Sequence, residues 1–228
     1  MNSSFSAAGP SRQRILIADD HPMMRAGLVQ IIGQQPDLEV CGEAGNPVET
    51  FHELSRSRPD LLLTDLTMPG RSGFDFIRDV LALHAGLPIL VVSMHDELIY
   101  AERALRAGAR GYIMKESGGE KLLAAIRLVL RGQVYLSPEL SAKILDGLSG
   151  PKTRATGSLL GKLSDREFEV FQLVGQGKST VEIARQLHLS PKTVDTHRGH
   201  LKQKLELKDA TALVRYAVRW VETEVAGL

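Results

Sequence analysis

At 228 residues, 43% apolar and 24% charged, the chain has room for two domains, and its composition excludes fibrous, low-complexity and disulfide-scaffold classes. Its single cysteine, Cys41, leaves no intramolecular disulfide and fits a reducing compartment, so a cytoplasmic location is expected. The net charge of +1 hides an asymmetry: residues 1–150 carry 15 Lys and Arg against 18 Asp and Glu, and residues 151–228 carry 13 against 9, so only the second part leans toward a polyanionic partner. Residues 1–11 lack an apolar core of signal-peptide length and read as a disordered tail. No apolar stretch approaches the roughly 20 residues needed to span a bilayer, and no membrane partner is expected.

From there, short apolar runs alternate with longer segments of helical spacing. The runs are Arg14–Ala18, Leu38–Gly42, Leu61–Thr64, Pro88–Val92 and Gly111–Met114; helical spacing shows in Met24, Leu28, Ile31 and Ile32, and in Leu122, Leu123, Ile126, Val129 and Leu130. Continuous apolar runs, as opposed to alternating ones, are what a parallel sheet covered on both faces requires. The pattern predicts an α/β doubly wound, five-stranded parallel sheet. Such sheets bind ligands at the carboxyl ends of their strands, where strand order reverses.

Polar residues stand at those ends. Asp19 and Asp20 close the first run, Asp65 the third, Ser93 the fourth and Lys115 the fifth. A lone Asp there is ordinarily a turn former or helix cap, and a lone Lys is ordinarily solvated. Three carboxylates in one crevice repel one another and need a cation, and an oxygen-rich set of this kind suits Mg²⁺. A carboxylate is also a nucleophile toward phosphorus, giving an acyl phosphate, with Lys115 and Ser93 placed to neutralise and hydrogen-bond the transferred group.

After Gly132, VYLSPELSAKILDGL predicts a short helix with Ser137 as cap and Pro138 at its first position. The stretch from about Ser149 to Ser158 breaks all periodicity and reads as a flexible linker. The remainder is helical by spacing. Ser164 and Glu167 form a capping box ahead of Phe168, Phe171, Leu173 and Val174. STVEIARQLHL and SPKTVDTHRGHLKQKL then read as two helices around a turn at His188–Ser190. In the second of these, Val194, His197, Leu201 and Leu205 face inward, which turns Lys192, Thr193, Asp195, Thr196, Arg198, Gly199, Lys202 and Gln203 outward. That face suits a DNA major groove, and equally a helical protein-interaction module. His197 reads as a packed helix histidine, since no second ligand stands at a metal spacing. A last helix is expected from about Asp209 to Val221.

ADD at Ala18–Asp20, DLTMPG from Asp65, SMH from Ser93 and GYIMK ending at Lys115 resemble, in order and spacing, the receiver domain of bacterial two-component response regulators, over residues 12–132. The resemblance implies a flavodoxin-like receiver in which Asp65, Lys115 and Ser93 carry the chemistry. Asp65 would accept a phosphoryl group from a sensor histidine kinase, and Mg²⁺ would sit on Asp19, Asp20, Asp65 and the backbone carbonyl of Thr67. Ser93 and Tyr112 match the switch pair, with Tyr112 turning inward on phosphorylation. LSDREFEVFQLVGQGKSTVEIARQLHLSPKTVDTHRGHLKQKL, continuing through KDATALVRYAV, resembles the four-helix LuxR-type DNA-binding domain. The whole chain is therefore similar to a NarL/FixJ-type response regulator.

The resemblance implies residues 133–159 as a linker with a short helix and residues 160–228 as the helix-turn-helix domain. Double-stranded DNA would be contacted by Lys192, Thr193, Asp195, Thr196, Arg198 and Lys202. The last helix would form a homodimer on phosphorylation, and the receiver would cover the recognition helix at rest. Such a protein is a signal transducer and not an enzyme, beyond phosphorylating itself from a donor and losing the group again.

The chain departs from the pattern in several places. Glu116 stands where many receivers have Pro, and Met94 where a small residue is common, which is expected to slow loss of the phosphoryl group. Asp195 replaces a frequent Lys and Gly199 offers no side chain, leaving Arg198 as the expected main basic contact. Two alternatives remain open. A phosphatase with an Asp nucleophile commonly needs a second Asp two residues on, where Thr67 stands, and an orphan regulator would keep the pocket without using it.

Overall fold

The computed structural model describes residues 12–70, 72–142 and 159–226. The expected tail at 1–11 and the expected flexible linker at 149–158 lie outside the described residues. Strands β1 (Gln13–Ala18), β2 (Leu38–Ala44), β3 (Leu61–Thr64), β4 (Ile89–Ser93) and β5 (Gly111–Met114) alternate with helices α1 (Pro22–Gly33), α2 (Pro47–Ser57), α3 (Gly73–Leu83), α4 (Glu97–Ala107) and α5 (Gly119–Leu130). The sheet is parallel, in the order β2-β1-β3-β4-β5, so strand order reverses between β1 and β3.

Alternate residues of each strand feed two cores, which is why the apolar runs are continuous. Ile15, Ile17, Leu61, Leu63, Leu90 and Val92 meet Leu28 and Ile32 of α1 and Leu122, Ile126 and Val129 of α5. Leu16, Leu62, Ile89, Val91 and Tyr112 face the opposite way, toward Leu54, Phe74, Phe76, Ile77, Tyr100 and Ala104 of α2, α3 and α4. Expected strand limits hold to within two residues. Pro88 lies just before β4, and its carbonyl accepts from Leu62 N–H at 3.0 Å.

Helix α6, described over 138–142, is capped by Ser137, whose Oγ accepts from Leu140 N–H at 3.1 Å. Just before it, Tyr135 pairs beside β5: its carbonyl accepts from Tyr112 N–H at 3.2 Å and its N–H donates to Arg110 O at 3.0 Å. The segment expected to begin the linker is therefore tied to the sheet edge.

A short 3₁₀ turn, Leu159–Lys162, leads into α7 (Asp165–Gly175), α8 (Thr180–Gln186), α9 (Pro191–Lys204) and α10 (Ala210–Ala226). Ser164 with Glu167 and Ser179 with Glu182 form capping boxes, and Ser190 caps α9 ahead of Pro191. Gly175 is required by packing, since a Cβ there would lie 2.4 Å from Ala217 O where α7 crosses α10. Helix α10 runs past the expected end at Val221. No helix among the described residues is long and apolar enough to cross a membrane.

Candidate functional site

Strand register assembles the acidic crevice. Ala18 pairs with Thr64, so Asp19 and Asp65 leave neighbouring strands at the same level, and Asp65 N–H donates to Ala18 O at 2.8 Å. Ser93 pairs with Met114, which puts Lys115 one step further out, and its long side chain reaches back over β4. Lys115 Nζ lies 2.7 Å from Asp19 Oδ2 and 2.8 Å from Asp65 Oδ2, with all three side chains almost fully buried. Burial alone would lower the Lys115 pKa, but its bonds to Asp19 and Asp65 outweigh it and hold the ammonium above the ordinary lysine value. The other Asp65 oxygen accepts from Thr67 N–H at 3.2 Å.

Ligand atoms of Asp19, Asp20, His21 and Asp65 all lie within 4.8 Å of one another. Three carboxylates against one ammonium leave the crevice short of two positive charges. Asp19 Oδ2 is taken by Lys115 at 2.7 Å, whereas Asp20 Oδ1 is buried without a directed hydrogen bond, with His21 Nδ1 2.8 Å away. The charge and the orphaned Asp20 oxygen both fit a small divalent cation. His21 was not anticipated, although a histidine directly after an acidic pair is legible in the sequence.

Ser93 is buried at the end of β4, and its Oγ accepts from His95 N–H at 3.3 Å. His95 is a junction. Its Nε2 is 2.9 Å from Thr67 Oγ1, its carbonyl accepts from Tyr112 Oη at 2.7 Å, and its ring stacks on Tyr100 at 4.5 Å and 12°. Tyr112 is fully buried. Phosphorylation is expected to turn Tyr112 inward, whereas here the His95 carbonyl already holds its hydroxyl inside.

Beyond Tyr100 begins the helical unit. The Tyr100 ring meets Phe168 edge-on at 5.3 Å, and its hydroxyl accepts from Gln172 Nε2. Arg103, buried on α4, donates to Leu160 O at 2.6 Å, Leu163 O at 2.9 Å and Asp165 Oδ1 at 3.1 Å. From α3, Ser72 bonds Glu169 and Arg78 bonds Asp165. A cavity of about 240 Å³ lies behind this contact, between Thr67 and His95 on one side and Glu169 and Gln172 on the other. Burial pushes the Glu169 carboxyl up to about 7 against the pull of Arg166, 2.9 Å away, with Asp75 and Asp165 adding to the rise.

These contacts fall on α7 and on the turn before α9, where His188 Nε2 donates to Gly70 O at 3.3 Å. Arg198 and Lys204 of α9 bond within the helical unit, and Lys192, Asp195 and Thr196 are exposed, so among the described residues the expected cover over the recognition helix is not seen. Arg103 and Glu169 carried no sequence signal, since each looks like an ordinary charge on an amphipathic helix.

On α9, Val194 and Leu201 are buried and Lys192, Asp195 and Thr196 are exposed. Thr193 is half-buried, its N–H on the Ser190 cap at 3.1 Å. Lys202 and Arg198 are both partly exposed, and Arg198 Nη1 donates to Thr180 Oγ1 at 3.0 Å. Glu167 is buried, completes the α7 cap and receives Lys204 of α9 at 2.6 Å, which fixes α9 against α7. His197 Nδ1 is buried without a hydrogen bond, and burial lowers its pKa, as suits a packed neutral ring.

Residues 15–127 match the family model described as response regulator receiver domain, and residues 161–217 match that of bacterial regulatory proteins, luxR family. The oxygen regulatory protein NreC of Staphylococcus carnosus (strain TM300) is 36% identical over 210 residues, covering 90% of this chain and 97% of that one. Among solved structures, RcsB of Salmonella enterica serovar Typhimurium, bound to promoter rprA with BeF₃⁻, matches at 25% identity and TM-score 0.71, over 91% of this chain and 99% of that one. A LuxR-family two-component response regulator from Aurantimonas sp. SI85-9A1 matches at 32% identity and TM-score 0.57, over 61% of this chain and 100% of that one. Since the likeness to NreC runs through both units in one order and over nearly the whole of each chain, the protein belongs to the NarL/FixJ-type response regulators, the DNA-binding transcription regulators of two-component systems.

Proposed function

We propose that Asp65 accepts a phosphoryl group from a sensor histidine kinase and that this step controls dimerisation and sequence-specific DNA binding. The observation that carries the reading is the buried Lys115 ammonium shared between Asp19 and Asp65, at 2.7 and 2.8 Å. In this reading an Asp65 oxygen attacks phosphorus, the bond from phosphorus to the kinase imidazole nitrogen breaks, and that nitrogen keeps the electron pair. Lys115 stays beside the developing charge and Ser93 Oγ donates to a phosphoryl oxygen. Asp19, Asp20, Asp65 and the Thr67 carbonyl would hold Mg²⁺, which supplies the charge neutralisation that three carboxylates and a phosphoryl group require. Loss of the group is attack of water on phosphorus, which returns Asp65; both steps are self-reactions of the chain.

Residues 12–132 act as the receiver and 160–228 as the DNA-binding domain, with a tail at 1–11 and a linker at 133–159 between them, in the cytoplasm. Lys192, Thr193, Asp195, Thr196, Arg198 and Lys202 meet DNA, and Arg198 also braces α9 against α8 through Thr180. The signal leaves the pocket through Ser93 and Tyr112: drawing Ser93 toward the phosphoryl group displaces His95, and with it the Tyr100 ring on which Phe168 and Gln172 rest. Helix α10 supplies the dimer contact.

The test is DNA affinity and oligomeric state with Mg²⁺, with and without beryllofluoride, on genomic fragments that include the protein's own promoter. Tighter binding with dimer formation supports the proposal, and Asp65→Asn should abolish both the response and acyl-phosphate labelling. The inward Tyr112 favours one second reading, in which DNA is bound without phosphoryl input; no response with Asp65 intact would establish it.

A further inference from the structure

Helix α9 carries a glycine that its own unit does not require. A Cβ built on Gly199 meets nothing within 4 Å, although glycine is the costliest residue in a helix interior after proline. Gly175, by contrast, is forced by a helix crossing. A mid-helix glycine without a packing reason leaves the backbone open to close approach by a surface outside the chain. One turn before it, on the same face, stands Asp195.

Asp195 is exposed, and among the described residues no basic group pairs with it. Its Oδ1 is 3.4 Å from Thr180 Oγ1, which in turn accepts from Arg198 at 3.0 Å. The hydroxyl thus donates to the carboxylate and stands between it and Arg198. On a helix face that meets DNA, a bare carboxylate is repelled by phosphates, so it needs a donor on a base edge. In the major groove that donor is the cytosine 4-amino group; guanine and thymine present acceptors there, and the adenine amino group stands beside the N7 acceptor.

We infer that Asp195 determines operator specificity by accepting from a cytosine amino group, and that Gly199 lets α9 lie close enough to the groove floor for this contact. The inference rests on the DNA-binding reading above. It makes Asp195 a filter as well as a contact, since guanine or thymine at that position would set an acceptor against the carboxylate.

The experiment is selection from randomised duplexes by the full chain with Mg²⁺ and beryllofluoride, for the wild type, Asp195→Asn and Gly199→Ala. The wild type should select one invariant cytosine per half-site. Asp195→Asn should move that position alone toward adenine, the partner of a carboxamide, and lose roughly tenfold to a hundredfold on the wild-type site. Gly199→Ala should raise the melting temperature by roughly 2 to 4 °C and still weaken binding. A wild-type site without an invariant cytosine, or the same site selected by Asp195→Asn, overturns the inference while DNA binding stands. So does a Gly199→Ala protein that binds as tightly as the wild type. If the wild type selects no sequence, the DNA-binding reading itself falls and takes the inference with it.

Discussion

The guanidinium of Arg103, on α4, lies 4.4 Å from the centroid of the Phe168 ring, on α7. The same side chain donates to two backbone carbonyls of the segment that leads into α7. One buried arginine therefore joins the receiver to the helical unit by cation–π contact and by hydrogen bonds to groups that have no water in reach.

Arg103→Ala should open this joint, because it leaves the Leu160 and Leu163 carbonyls without that donor and Phe168 uncovered. The expected loss of docking is on the order of 3 kcal/mol. Small-angle scattering should show a larger maximum dimension for the variant, with beryllofluoride adding less to it than in the wild type. An unchanged scattering curve would mean that Arg103 does not hold the joint.

Glu169 should make the joint sensitive to pH. Docked, its carboxyl titrates at about 7; released into water it returns toward the ordinary value of 4.5. The docked form therefore binds the proton more tightly, so docking is strongest at low pH, weakens as pH rises between these two values and is flat above about 7. Scattering of the wild type from pH 5 to 8 should show opening over that interval, and Glu169→Gln should stay closed throughout.

Tyr112→Phe keeps the buried ring and removes only the donor to the His95 carbonyl. Labelling of Asp65 should be unaffected. The beryllofluoride-induced gain in DNA affinity should fall by roughly threefold to tenfold, the worth of one hydrogen bond that shapes the loop between Ser93 and α4. Retention of the full gain would move the relay away from His95.

Glu167→Ala removes the capping-box partner of Ser164 and the anchor of Lys204 together. Its carboxyl is held below the ordinary value: burial pushes it up, but the Lys204 bond and the Ser164 groups outweigh that. The substitution should cost the helical unit about 2 kcal/mol, read as a lower melting temperature of its transition in calorimetry. The stabilisation it removes is present above the unfolded carboxylate pKa and is lost as pH falls through the lowered folded value, so wild type and variant should converge in acid.

Sequence alone was enough for the architecture and the crevice. Five continuous apolar runs define a sheet buried on both faces, and polar residues at their ends mark its carboxyl edge, because strand periodicity and burial are local properties. Asp19, Asp20, Asp65 and Lys115 lie together, with Ser93 closing the strand between β3 and β5; Asp19, Asp65 and Lys115 directly follow their strands and Asp20 follows Asp19. The caps at Ser137 and Ser164 were legible for the same reason. Tertiary structure alone decided how the two units meet and what the switch residues touch. Arg103 and Glu169 are solvated charges by sequence pattern; Arg103 becomes a buried partner when α4 lies on α7, and Glu169 becomes half-buried against Ser72 at the start of α3. Arg198 reads as a free surface side chain, and its hydrogen bond to Thr180 of another helix is set only by the fold. Tyr112 lies inward because the His95 carbonyl is within reach of its hydroxyl. Such pairings join residues distant in the chain through burial shared by two surfaces, and neither surface carries in its own sequence any mark of the other.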